Sequence, residues 1–366
     1  MNNNDDNILT KNQFILILIG SMIGIGVLSL PNDVIKIAKQ DAWISVILGA
    51  AYPLYVMFFS SYISKKYPKE NILIISQKFL GNILGNIVNI IFLVYFLLLA
   101  TEVGNGITNV LEIYMVPFLN RWTVLIVSYL VIAYAVYGGG KTVARINEVI
   151  FFGTVIIFFM PLISIKDGSF LNMKPILGSG IINIIKAVEK TFFAYAGIES
   201  ICIIYPFLQD SKKIKRYTLV SITITTTIYT LFTLATILFF GIDASFKFLW
   251  PVVTLTESIM VPVINSLRYI FMAFWTLIMF KTACNYYYIF TYGLNQIIKK
   301  VQRKNMTIII LPVMIVLSFL YENATKTGKF LDKIMPIFVG FNSIYVLLIT
   351  VLVFLKDRTA KKNSIK

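Results

Sequence analysis

The chain has 366 residues, of which 58% are hydrophobic and only 14% are charged, and its mean hydropathy is +0.80. About a quarter of the residues in soluble domains are charged, so this composition excludes an ordinary soluble protein. It also excludes a disordered protein, because disordered chains have low hydrophobicity. The net charge of +16 is typical of a membrane protein with cationic cytoplasmic loops and requires no nucleic-acid partner.

The chemistry open to this sequence is narrow. It contains no histidine, which excludes histidine-based metal sites, general bases and proton relays. Cys202 and Cys284 lie in apolar runs, as small core residues do, and predict no disulfide. A hydrolase would need paired carboxylates in facing spans. Glu102 and Glu199 could form such a pair, but the helix breaks expected around them argue against it. The sequence therefore predicts a protein that is not an enzyme and uses neither metal nor cofactor.

Ten apolar stretches approach the length of a transmembrane helix, about 20 residues. They are residues 12–31, 42–63, 83–107, 122–138, 147–165, 187–208, 217–241, 265–295, 305–321 and 334–355. The stretch 246–261 contains Pro251 and Glu257, and we interpret it as a surface or folded-back helix. Lys and Arg are concentrated in segments such as 65–78 and 212–216, which places both termini in the cytoplasm.

The spans divide into two halves. Residues 1–11 form a polar tail without signal-peptide features. Five spans fill 12–165, a connector covers 166–186, five more fill 187–355, and a basic cytoplasmic tail covers 356–366. An odd number of spans per half inverts the second half relative to the first, and such folds carry broken helices at equivalent positions. We therefore expect an all-α membrane protein, a 5+5 inverted repeat with broken first and sixth helices.

The first span carries three glycines within seven residues, Gly20, Gly24 and Gly26, before Pro31. Each glycine costs about 1 kcal/mol relative to alanine in a helix and lets the backbone leave helical geometry. Freed amides and carbonyls are tolerated at membrane depth only where protein, water or ligand satisfies them. The alternative is a helix-packing face formed by Gly20 and Gly24.

The sixth span has the matching signal. Small residues, including Ala194 and Gly197, are followed at once by Glu199 in mid-span. An ionisable residue at that depth needs a partner and is by default a functional candidate. The half-helix N-termini offer free amides to an anionic group such as a carboxylate. Glu199 has a structural alternative, which is to cap the unwound segment.

Two other charged residues lie inside spans, Glu102 late in the third and Lys281 in the middle of the eighth. Each of them could contact a ligand or carry a proton. The structural alternatives are that the two form a buried ion pair or that their side chains reach toward water. The tyrosines at 286–288 suit packing and ligand contact equally.

Four patterns resemble the spore germination permease family, the B subunits of nutrient-germinant receptors within the amino acid–polyamine–organocation superfamily. They are 20–26 with Leu30 and Pro31; 173–180; 192–208 with Lys212 and Lys213; and Trp250 and Pro251 with Arg268 and Trp275. The third, Phe-x-Tyr-x-Gly-x-Glu followed by Pro-Phe and a cationic loop, is the most specific. One departure is that Arg268 is flanked by Leu267 and Tyr269, whereas family members often have an acidic neighbour there.

The resemblance implies a leucine-transporter-like fold in the inner membrane of a bacterial spore. It also implies two partners, a larger membrane A subunit and a lipoprotein C subunit, and a role in binding the nutrient that ends dormancy. The leading hypothesis is a germinant receptor subunit that binds a small nutrient, an amino acid, between the first and sixth spans. The expected ligand-binding residues are Ser21, Met22, Gly24, Gly26, Leu98, Thr101, Glu102, Ala194, Gly197, Glu199, Lys281 and Asn285.

Two other functions remain open. A secondary transporter could move amino acids with protons, using Glu199, Glu102 and Lys281 as protonation sites. A partner-gated ion channel would need a ring formed by oligomerisation. Fold alone does not separate receptor from transporter.

Overall fold

The computed structural model describes residues 8–245, 247–259 and 267–363, which are helical apart from short connections. The α-helices are α1 (Lys11–Met22), α2 (Gly26–Ala38), α3 (Ala42–Gly49), α4 (Ala51–Lys66), α5 (Ile72–Val110), α6 (Arg121–Tyr137), α7 (Gly140–Thr154), α8 (Met160–Ile163), α9 (Ile181–Val188), α10 (Phe192–Tyr195), α11 (Ile201–Ile204), α12 (Ile214–Ser245), α13 (Pro251–Glu257), α14 (Leu267–Ile297), α15 (Arg303–Leu320) and α16 (Ala324–Asn363). Short 3₁₀ turns join several of them.

Seven helical segments in the described ranges are long and apolar enough to cross a membrane. They are Gly26–Lys66, Ile72–Met115, Gly140–Asp167, Ser211–Ser245, Leu267–Ile297, Arg303–Leu320 and Ala324–Arg358. Large apolar side chains are exposed on them and on their neighbours, for example Ile83 at 78% and Tyr134 at 83%. The surface of a soluble protein rarely exposes so much apolar area. In a membrane these side chains contact lipid instead of water, so their exposure is not unfavourable. The chain is a multi-pass membrane protein.

The predicted first span, 12–31, corresponds to two helices, and the second continues beyond the predicted end. Pro31 lies inside α2, which runs on to Ala38. A proline removes one backbone hydrogen bond of a helix, and here the following turns bury Val34 and Ile35 completely. Burial of the next apolar face therefore carries the helix past the proline.

The stretch 246–261, predicted to be a surface or folded-back helix, contains α13, which has Pro251 in its first turn and most of its residues buried. Residues 246, 260 and 261 of that stretch lie outside the described ranges. Seven residues cannot cross a bilayer. Glu257, at the end of α13, forms an ion pair with Arg268 of α14. The carboxylate that the neighbours of Arg268 do not supply thus comes from another helix.

The centre of the molecule is built from helices of both halves. The long α14 packs along α5, while α1 packs against α7, α12 and α14. The segment before α1 is also held by the second half, since Leu9 donates its N–H to Phe207 O (2.8 Å) and accepts from Gln209 N (3.2 Å). These contacts bring the C-terminal end of α1 next to the segment around α10 and α11.

Asp41, just before α3, holds the connector between the halves. Its buried carboxylate accepts hydrogen bonds from Leu177 N (2.7 Å), Ser179 N (2.9 Å) and Ser179 Oγ (2.7 Å). Three donors on one buried carboxylate make a strong, charge-assisted contact.

We expect Asp41→Asn to lower the free energy of unfolding by about 1–3 kcal/mol, because the amide turns an NH₂ group toward backbone donors and leaves one unpaired. Thermal unfolding of the detergent-solubilised protein measures this. Asp243→Asn, at an exposed position, is the matched control. Equal melting temperatures for the two variants would contradict the assigned role.

Candidate functional site

The first interruption comprises residues 23–25, where the chain leaves helical geometry between α1 and α2. The last carbonyls of α1 and the first amides of α2 have no intrahelical partner. Gly20, in the last turns of α1, lies so close to its neighbours that an added Cβ would stand 2.1 Å from Asn147 Oδ1 and 2.9 Å from Lys281 Nζ. Two polar side chains, one from α7 and one from α14, therefore reach the α1 backbone here.

The second interruption is at Ala196 and Gly197, between α10 and α11. Ala196 is extended, and Gly197 has φ of +96°, a conformation that costs an L-residue about 1–2 kcal/mol. A Cβ at Gly197 would lie 2.5 Å from Ser21 O and 2.5 Å from the Tyr286 hydroxyl oxygen. The two interruptions thus touch, and glycine is required there by both backbone conformation and space.

Hydroxyl groups from α12 and α14 satisfy carbonyls of both interruptions. The Tyr229 hydroxyl lies 2.7 Å from Met22 O and 2.7 Å from Ala194 O, and Tyr286 bridges Ser21 O and Ala196 O in the same way. A hydroxyl has one proton to donate, so each tyrosine serves two carbonyls with a single donor. Tyr286, for which the sequence left packing and ligand contact open, is therefore a structural contact in this arrangement.

Glu199 is completely buried, and its carboxylate is fully engaged. Oε1 accepts from the hydroxyls of Tyr52 and Tyr95 (2.8 Å for Tyr95) and from Asn342 Nδ2 (3.4 Å), and Oε2 accepts from Gly197 N (2.8 Å). These donors come from α4, α5, α16 and the second interruption. With four donors around it, the carboxylate has the geometry of a cap for the unwound segment.

A cavity of about 250 Å³ opens beside the two interruptions. One wall is a stripe on α2, formed by Ser29, Asn32, Asp33 and Lys36, and the facing stripe on α5 is Glu102, Asn105, Gly106 and Asn109. Both stripes have the spacing i, i+3, i+4, i+7 that lines one face of a helix. Ile25 and Phe193 also line the cavity, and the Phe193 ring packs against Gly26.

The other walls come from the second half. They include Trp250 near α13, and Leu331 and Met335 on α16. Lys190 and Asp332 also line the cavity and form an ion pair at 3.0 Å, with side chains 29% and 58% exposed. The cavity therefore has both apolar and charged residues in its walls, and it is smaller than the roughly 300–1,000 Å³ of drug-sized sites.

Glu102 is one of four acidic residues that line this cavity, with Asp33, Glu189 and Asp332. It is 3% exposed, and Oε2 is buried without a hydrogen-bond partner among the described residues. Asn32 donates to Phe248 O (2.6 Å), which leaves its buried Oδ1 without a partner in the same part of the chain. A buried polar atom without a partner costs about 1–3 kcal/mol. The two unpaired atoms are both acceptors, so each would be satisfied by a hydrogen-bond donor.

The remaining expected residues lie in two places. Asn285 and Lys281 sit beside α1, where Asn285 Nδ2 contacts Ser21 Oγ (3.3 Å) and Asn147 Oδ1 (3.1 Å). Thr101 donates to carbonyls within α5, including Leu98 O at 3.0 Å. In the described ranges, neither Glu102 nor Lys281 forms an ion pair. Of the expected residues, Glu102 alone is among those that line the cavity.

The two polar stripes were missed by the sequence reasoning. Their signal was present, since Asn105 and Asn109 follow Glu102 at helical spacing within an otherwise apolar span, and Asn32 and Lys36 follow Ser29 in the same way. Polar residues three, four and seven positions apart in a membrane span share a face that must avoid lipid. A search for that spacing would have found both walls.

Comparison with known proteins gives consistent matches over almost the whole chain. The family described as "Spore germination protein" matches residues 8–327. The spore germination protein YndE of Bacillus subtilis is 26% identical over 319 residues, covering 86% of this chain and 88% of its own. GerQB of Bacillus cereus, also a spore germination protein, is 28% identical over 345 residues, covering 91% of each chain.

A solved structure shares the fold. The crystal structure of MhsT in complex with L-phenylalanine superposes with a TM-score of 0.68 at 13% identity, covering 93% of this chain and 87% of that one. At this identity the likeness shows the architecture alone, which is that of the leucine-transporter-like fold. The family match, in contrast, extends over the interruptions and both polar stripes, and the chain belongs to the spore germination protein family.

Proposed function

We propose that this chain is a membrane subunit of a spore nutrient-germinant receptor and that a small amino acid binds in the cavity between α2 and α5. The observation that carries the proposal is the unpaired, buried carboxylate of Glu102, which faces a cavity of about 250 Å³ beside two interrupted helices. Family membership supports the role in germination, and a neighbour of the same fold holds L-phenylalanine.

The architecture that we propose has ten spans arranged as two inverted five-helix repeats. In it, α1 with α2 form a broken first span and 181–208 a broken sixth span. Support comes from the contact between the two interruptions through Gly197 and Ser21. The shorter apolar helices Arg121–Tyr137 and Ile198–Phe207 would complete spans of each half, with both termini in the cytoplasm.

The ligand contacts follow from which groups are free. The ammonium group of an amino acid would bind Glu102, with Asn32 Oδ1 as a second acceptor. Its carboxylate would bind the free amides at the start of α2, which follow Ile25, and the helix dipole favours an anion there. Glu199 would act on the ligand only indirectly, by fixing the second interruption against α4, α5 and α16.

Signalling would arise from a shift between two arrangements of the repeats. A ligand moves such an equilibrium only by binding one arrangement more tightly than the other. The partners that would respond are the A-type membrane subunit and the C-type lipoprotein of the receptor in the inner spore membrane. Their contacts would use the exposed apolar helix faces.

Proton-coupled amino-acid transport is the second candidate. It is favoured by Lys281, which is 1% exposed and has no ion-pair partner in the described ranges. A buried amine without a counter-charge is a natural protonation site. In that case Glu102 and Lys281 would exchange protons as the substrate moves.

Deletion of the gene in its source organism separates the two. We expect deletion spores to lose dipicolinic acid release in response to nutrients, while growing cells of the same strain keep normal amino-acid uptake. A plasmid-borne copy of the gene is the control and should restore release. Intact release with reduced uptake would instead establish the transporter.

A further inference from the structure

Arg121, the first residue of α6, orients two asparagine side chains of the α5 stripe. Its Nη1 donates to Asn109 Oδ1 (3.1 Å) and to Glu112 Oε2 (2.8 Å), and its Nη2 donates to Asn105 Oδ1. A guanidinium group has donors only, so both amide oxygens must turn toward it. The NH₂ groups of both asparagines therefore point away from Arg121.

Only one of the two NH₂ groups donates a hydrogen bond within the part of the chain that the structure describes. Asn105 Nδ2 donates to Thr327 Oγ1 on α16 (3.0 Å) and is thereby used. Asn109 is 5% exposed and lines the cavity, and its Nδ2 has no hydrogen-bond partner in the part of the chain that the structure describes. Among the polar groups of the cavity wall, Asn109 thus presents a donor whose orientation is fixed, and Glu102 presents an acceptor.

The spacing of these groups limits what can touch both. Seven residues of α-helix separate Glu102 from Asn109, an axial distance of about 10 Å. The ammonium and carboxylate of an α-amino acid are attached to the same carbon, so a head group held at Glu102 does not reach Asn109. The side chain of the ligand is the part that extends in that direction.

We infer, on the basis of the proposed function, that Asn109 is a specificity-determining residue that reads the end of the ligand's side chain. It selects α-amino acids whose side chain ends in an oxygen acceptor over apolar ones of the same shape. Arg121 is a positioning residue, because it prevents the Asn109 amide from turning its oxygen into the cavity. A site that offers a buried donor discriminates against an isostere that leaves the donor unpaired.

Two nearly isosteric ligand pairs test this on the purified full chain in detergent. Calorimetric titration compares L-asparagine with L-leucine, and L-glutamine with L-methionine. We expect the amide member of each pair to bind about tenfold more tightly, as the loss of one buried hydrogen bond predicts. In Asn109→Leu, which has nearly the same shape but neither a hydrogen-bond donor nor an acceptor, the preference should vanish.

Two further variants complete the experiment. Arg121→Met leaves the Asn109 amide free to rotate, and it should weaken the binding of L-glutamate, whose side chain ends in acceptors only, relative to that of L-glutamine. Asn82→Leu, at an exposed position on the same helix, should retain the full preference within each pair. An undiminished preference in Asn109→Leu, or tighter binding of L-leucine and L-methionine by the unmodified protein, would overturn the inference even if Arg121→Met fails to fold.

The same titrations separate this inference from the proposed function. Binding that requires Glu102 but shows no preference within either pair overturns only the role of Asn109. Absence of binding for all four amino acids overturns the proposed function and the inference together.

Discussion

Glu102→Gln is expected to raise the nutrient concentration for half-maximal germination by about tenfold to a hundredfold, while the protein still accumulates in the membrane. The substitution keeps the shape of the side chain and removes the negative charge that faces the cavity. A hydrogen bond to a charged group contributes about 1.5–3 kcal/mol, and each 1.4 kcal/mol corresponds to about a factor of ten. Dipicolinic acid release over a range of nutrient concentrations gives the shift directly.

Glu199→Gln is the informative comparison, because the two carboxylates have opposite surroundings. Glu199 already accepts four hydrogen bonds, so an amide there turns an NH₂ group toward donors. We expect less protein and a lower melting temperature in this variant, with an unchanged half-maximal concentration for what remains. A concentration shift in Glu199→Gln with none in Glu102→Gln would reverse the two roles.

Gly197→Ala is expected to abolish the nutrient response. The alanine must adopt a left-handed backbone conformation, which costs about 1–2 kcal/mol. Its methyl group would also lie 2.5 Å from the backbone oxygen of Ser21. Since that oxygen belongs to the first interruption, the two interruptions have to separate. Dipicolinic acid release and immunodetection in the spore membrane fraction distinguish loss of response from loss of protein.

Gly340→Ala is the matched control, because Gly340 lies in a helix and has no heavy atom within 4 Å of the added Cβ. We expect it to respond normally. A normal response in Gly197→Ala as well would show that the contact between the interruptions is not needed for germination.

The all-helical membrane character could be predicted from the sequence because it is local. Apolar runs and the glycines around Gly24 and Gly197 act through the backbone of a few residues. The end of α2 was less accessible, since Pro31 predicts a stop and only burial of Val34 and Ile35 explains why the helix continues.

The roles of the two glutamates could not be separated from the sequence. Each is an acidic residue in an apolar span, and local pattern treats them alike. What distinguishes them is distant, because Tyr52, Tyr95 and Asn342 converge on Glu199 and no described residue pairs with Glu102 Oε2. Those partners are set by packing between helices far apart in the chain, which a single sequence does not reveal.

The shared hydroxyl of Tyr229 has a consequence for how easily the molecule can change shape. Met22 O and Ala194 O are both 2.7 Å from the hydroxyl oxygen. When either half-helix moves away, the O–H group can rotate and donate to the other carbonyl. The number of hydrogen bonds made by this hydroxyl is then the same before and after the movement, so the contact does not resist it. At this point, therefore, a relative movement of the two half-helices costs no hydrogen bond, and a ligand would need a smaller difference in affinity to favour one arrangement of the repeats over another.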